Sequence, residues 1–110
     1  MFIQSRLKEL AELMRNEIQF STDPTVVATQ AKSHPESLII LDLEASEYDS
    51  SDLARAVKQI THPPRILAYF PHIRRDLEKN ARDAGIDYVV PNSAFLKTVK
   101  QVLEGSASSS

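Results

Sequence analysis

"SLIILDLEAS", residues 37–46, is the stretch on which the fold turns. Residues 38–43 form an apolar run broken only by Asp42. A half-buried strand alternates apolar and polar residues, whereas a strand covered on both faces reads as a continuous apolar run. This one therefore predicts a central strand of a parallel sheet. Asp42 stands at its carboxyl end, where a carboxylate is either a reactive group or an ordinary strand terminus.

Upstream, residues 2–16 carry apolar side chains at Ile3, Leu7, Leu10, Leu13 and Met14, the spacing of a helix with one buried face. Residues 17–23, EIQFSTD, alternate at Ile18 and Phe20, which predicts a short edge strand. Asp23-Pro24 is a helix start, because aspartate caps free N–H groups and proline at the first helical position forfeits no hydrogen bond. That helix covers 24–33 and ends before Pro35.

Downstream, EASEYDSS (44–51) is a polar loop. Ser50 or Ser51 can cap a helix running to about Thr61, with Leu53, Val57 and Ile60 inward. Pro63-Pro64 stops it. Residues 66–70 predict a strand closed by Pro71, and 73–84 a helix with Leu77 and Ala81 inward. Gly85 stands where a left-handed cap residue belongs. Residues 86–90 predict the last strand, closed by Pro91. Asn92 or Ser93 can cap a final helix with Phe95, Leu96, Val99, Val102 and Leu103 inward, ended by Gly105. The tail SASSS, 106–110, reads as disordered.

Five helices thus alternate with four strands through short connections, the order of an α/β fold with a parallel sheet. The 110 residues suit one domain, 1–105 plus tail. A net charge of -2 without a long basic run gives no footprint for nucleic acid. The absence of cysteine removes disulfides and thiol chemistry, and a cytoplasmic location is expected. No stretch is apolar enough for a membrane span. Phosphate cradles need glycines, and both glycines, Gly85 and Gly105, read as helix caps, which speaks against a nucleotide site. His34, His62 and His72 make no metal spacing. His72 follows a strand and either faces the Asp42 pocket or lies in solvent.

Three stretches carry a resemblance over residues 2–103: SLIILDLEAS with Asp42, RILAYFPH (65–72) and NARDAGIDYVVPNSAF (80–95). In order and spacing they resemble the receiver domain of two-component response regulators, a flavodoxin-like three-layer fold. The resemblance places Asp42 at the family's phosphoryl-acceptor position and Glu44 where a backbone carbonyl binds Mg²⁺. Phe70 falls where the family has Thr or Ser, and Pro91 lies at or beside its lysine position. Tyr88 matches the aromatic switch residue of the last strand. A carboxylate accepts a phosphoryl group only beside a divalent cation and fixed positive donors. With no hydroxyl at Phe70, no lysine at Pro91 and nothing acidic before Glu9, the resemblance implies a degenerate receiver that is not an enzyme. It would act through protein contacts near Asp83, Tyr88, Lys97 and Lys100, with no metal and no cofactor. The alternative is a working phosphoacceptor, with Mg²⁺ held by Glu44, Glu47 or Asp49.

The family's first strand has no counterpart, since "MFIQSRL" aligns with the turn that follows it. In the usual strand order that strand is central. Its loss would leave a gap between residues 18–21 and 38–43. Either those strands close up into a four-stranded sheet, or a partner chain fills the gap, or the missing strand lies upstream of Met1. An open gap favours a homodimer, because unpaired strand edges are prone to associate.

Overall fold

A computed structural model describes residues 2–16, 19–46 and 48–105. Among them run five α-helices and three strands. Helix α1 is Phe2–Leu13, α2 is Pro24–Ser33, β1 is Leu38–Asp42 and α3 is Ser50–Lys58. Strand β2 is Arg65–Phe70, α4 is Arg75–Asp83, β3 is Tyr88–Pro91 and α5 is Phe95–Leu103. The strands lie side by side in chain order, β1-β2-β3, and both pairs are parallel. Asp42 is in register with Tyr69, and Phe70 with Pro91.

Side chains of a strand point alternately to the two faces of its sheet, and this divides the core. Ile39, Leu41 and Leu43 of the first strand region, Ile66, Ala68 and Phe70 of β2, and Val89 of β3 pack with residues of α2, α3 and α4. Leu38 and Ile40, then Leu67 and Tyr69, then Tyr88 and Val90 pack with α1 and α5 on the other face. The result is three layers. Strand β2 is covered on both faces and is buried at every residue but Arg65, while most of β1 is only partly buried.

The two ends of the sheet are finished differently. At the amino end, Asp87 accepts hydrogen bonds from Lys58 Nζ at 2.6 Å and from the Ile66 amide at 2.8 Å. One carboxylate thus joins the end of α3 and the start of β2 to the approach to β3. The carboxyl end carries Asp42 and the loop that follows it.

Among the described residues the expected fourth strand is not formed. Ile18 lies outside the described residues, and residues 19–21 are irregular, with Phe20 exposed. Two alternating positions are a weak signal for a strand. Local bonding also competes: the Ser21 hydroxyl accepts from the Asp23 amide at 3.1 Å, and the Asp23 carboxylate from the Thr25 amide at 2.9 Å. The chain is committed to starting α2 rather than pairing with β1.

Several boundaries also shift. Helix α1 stops at Leu13, and Arg15 takes a left-handed φ of 58° while the Asn16 amide donates to the Ala11 carbonyl. Asp49, not Ser50 or Ser51, caps α3, accepting from the Asp52 amide. Asn92 and Ser93 do not cap α5 but form a 3-10 turn ahead of it. Gly85, at φ 87°, has the left-handed conformation expected of it.

Candidate functional site at the open edge of the sheet

Asp42 ends β1, and its carboxylate turns back onto its own chain. Oδ1 accepts the Glu44 amide at 2.9 Å, and its carbonyl accepts the Ala45 amide at 3.1 Å. This is the hydrogen-bonded turn that a short acidic side chain favours after a strand.

A second group closes on the same residue. The Tyr48 hydroxyl accepts from the Asp42 amide at 3.0 Å and donates to the Asp42 carbonyl at 3.3 Å. The direction of these bonds matters. The Leu43 amide donates to the Tyr69 carbonyl of β2. Main-chain groups of successive strand residues point to opposite sides. Residues 39, 41 and 43 therefore face β2, and those of 38, 40 and 42 face outwards. Tyr48 supplies Asp42 with the two bonds a neighbouring strand would make. Among the described residues no hydrogen bond from outside the sheet reaches Leu38 or Ile40.

Phe70, which falls where the resemblance expects Thr or Ser, lies on the far face from Tyr69, buried among residues of α2, α3 and α4. The hydroxyls near Asp42 come instead from Tyr69 and Tyr48. Burial raises the pKa of the Tyr69 phenol, and the charge of Asp42 raises it further, with Tyr48 and a hydrogen bond to Asp42 adding to the effect. Tyr69 therefore stays protonated well above neutral pH. An unfolded tyrosine loses its proton near about pH 10. Above that pH the unfolded chain holds fewer protons than the folded one, so stability present at lower pH is lost as pH rises. The Tyr69→Phe variant is expected to flatten this alkaline decline. Urea midpoints measured at roughly pH 9 and pH 11 check it, and an unchanged slope would count against the assignment.

The other expected residues scatter. Glu44 is exposed, 3.9 Å from Arg74, which also holds Asp76 at 3.0 Å. His72, His34 and His62 are exposed, and His34 pairs with Glu36. Tyr88 is buried on the α1–α5 face, where its hydroxyl accepts from Arg65 at 3.3 Å. Pro91 ends the opposite edge strand beside Phe70. Asp83, Lys97 and Lys100 are exposed on α4 and α5, the helices flanking β3. Asp83 also lines a cleft of about 460 Å³ with Asp49 and Arg55 of the α3 region. Of the suggested Mg²⁺ ligands, Asp49 caps α3, Glu44 faces Arg74, and Glu47 lies outside the described residues. Among the described residues no three His, Asp or Glu side chains converge on a metal position. Among those residues, too, no helix is long and apolar enough to cross a membrane.

Along β1 runs a cleft of about 820 Å³. Every residue of the strand lines it, together with Leu7 of α1, Val27 and Ala31 of α2, and Tyr48 and Tyr69. Tyr48 and Tyr69 were not legible as site residues. A lone aromatic in the polar loop EASEYDSS was the available signal for Tyr48. Tyr69 could be assigned to the Asp42 face only once the register was known. In comparisons with known proteins, no family model and no curated protein matches the chain.

Proposed function

We propose that the chain is a receiver-like signalling module of the flavodoxin-like class that acts through protein contacts and without phosphoryl transfer. The parallel sheet, the crossover order and an aspartate at a strand's carboxyl end support the reading. The observation that carries it is the condition of Asp42. Its carboxylate already accepts the Glu44 amide, and its neighbours are the phenols of Tyr48 and Tyr69. A phosphoryl acceptor needs positive charge at the point of attack, and Arg74 is paired with Asp76 and Glu44. The exposed residues Asp83, Lys97 and Lys100 beside β3 offer one contact surface by family analogy. A cytoplasmic location belongs to the same proposal.

Incubation with acetyl phosphate and Mg²⁺, read by intact mass, tests it. The expected result is no gain of a phosphoryl group. A gain mapped to Asp42 would overturn the reading in favour of a working phosphoacceptor with Mg²⁺ held near Glu44.

A further inference from the structure

The cleft beside β1 has the form of a place for a strand. Its floor is the outward edge of Leu38–Asp42, where Leu38 and Ile40 present amide and carbonyl groups away from β2. Its walls belong to the two helical layers: Leu7 of α1 packs on one face of the sheet, and Val27 and Ala31 of α2 on the other. Two of the exposed large apolar side chains, Phe20 and Val26, lie on its border. An open sheet edge beside exposed apolar side chains is the setting for strand addition, in which main-chain bonds supply affinity and alternate side chains fill pockets.

The surroundings narrow the occupant. A sheet neighbour lies roughly 4.8 Å away, and a five-residue strand runs about 17 Å. The space is bounded by a helix layer on each face, so it suits a single bare strand. A second copy of this chain is a poorer fit, since its own β1 is flanked by its own α1 and α2. An incoming strand would meet apolar surface on both faces. Asp23, Glu36, Asp42 and Glu44 are among the residues lining the cleft, Glu36 beside His34 and Glu44 near Arg74, and among the described residues no lysine or arginine lines it. Tyr48 already satisfies Asp42, which leaves Ile40 and Leu38 as the pairing residues.

We infer that the cleft receives one extended segment of a partner protein, apolar at its centre and carrying Lys or Arg at its ends, which pairs with Leu38 and Ile40 as a fourth strand. The inference rests on the reading of this chain as a protein-contact module and names the surface and the class of partner.

The test uses the full chain and a synthetic peptide of alternating valine and isoleucine flanked by lysines. Binding is expected to slow amide hydrogen exchange at Leu38 and Ile40. A version N-methylated along one edge is expected to bind about tenfold more weakly or worse, and so is one flanked by glutamates. The Ile40→Pro variant removes an outward amide that β2 does not use, a change edge strands accommodate. It is expected to lose binding while keeping its circular dichroism. Equal binding by the N-methylated peptide, or protection confined to β3 and α5, would overturn strand addition. Dimerisation of the free chain that shields Leu38 and Ile40 would overturn the choice of occupant. Each of these leaves the proposed function standing, whereas phosphorylation of Asp42 would overturn that function and leave the peptide result intact.

Discussion

The Phe95→Ala variant is expected to lose about 3–5 kcal/mol of unfolding free energy, the usual cost of deleting a buried phenylalanine. Phe95 is completely buried at the first turn of α5. Its ring lies 4.4 Å from that of Tyr69, tilted by 40°, in a cluster with Leu67, Tyr88, Val99 and Val102. Tilted aromatic pairs at this separation add to simple area burial. Helix α5 has no side-chain cap, and this apolar contact helps to seat its first turn, together with the Phe95 amide donating to the Asn92 carbonyl. A loss of that size is a large share of the roughly 5–15 kcal/mol typical of a small domain. Urea unfolding should show a lower midpoint with an unchanged slope. Phe95→Leu preserves most of the volume and is expected to cost less, about 1.5 kcal/mol. Phe20→Ala, at a side chain 53% exposed, should shift stability by no more than about 0.5 kcal/mol. Loss of Phe95 also removes a wall from Tyr69, so the alkaline behaviour of the chain should move towards that of an ordinary phenol.

Asp87→Ala is the second large effect, about 2–3 kcal/mol of destabilisation. Asp87 is only partly exposed, and one of its oxygens takes both the Lys58 ammonium and the Ile66 amide. Ile66 is fully buried. Deleting the carboxylate leaves a donor at the start of the central strand with no acceptor, and an unsatisfied buried group costs more than a hydrogen bond gains. Asp87→Asn keeps an acceptor oxygen and should retain about half of the lost stability. Lys58→Met leaves the Ile66 bond in place and should cost about 1 kcal/mol or less, because the ion pair is partly solvated. If Lys58→Met costs as much as Asp87→Ala, the ion pair rather than the main-chain bond is the dominant contact. Chemical denaturation of the three variants separates the cases.

The behaviour of particular residues shows how far local reading reaches. Asp23-Pro24 begins α2, Gly85 adopts the left-handed turn, and Phe95, Val99 and Val102 are buried on α5. Each depends on chemistry within a few residues: a cap, a missing Cβ, a 3.6-residue period. The choice among Asp49, Ser50 and Ser51 as the cap of α3 was less legible, because three adjacent residues all favour that position. The alternation at Ile18 and Phe20 within residues 17–23 states only that a strand there would have two faces. Whether another strand is present to pair with it is a non-local matter.

The candidate site divides in the same way. Asp42 was legible as a strand-end carboxylate from the apolar run before it. Its surroundings were not. The pairing of Asp42 with Tyr69 puts Tyr69 on the Asp42 face and sends Phe70 to the other, a consequence of register that no local pattern contains. Tyr48 reaches Asp42 from six residues away along the chain, beyond any local spacing pattern.

By itself the sequence determined the α/β class, five helices, three of the strands and the position of Asp42, because hydrophobic period and the geometry of proline, glycine and capping residues act over short range. Only the tertiary structure decided that β1 ends the sheet, that Tyr48 and Tyr69 surround Asp42, and that a cleft flanked by α1 and α2 opens beside Leu38 and Ile40. Those features depend on which strands pair and in what register, and that is settled by the balance of burial and hydrogen bonding across the whole chain.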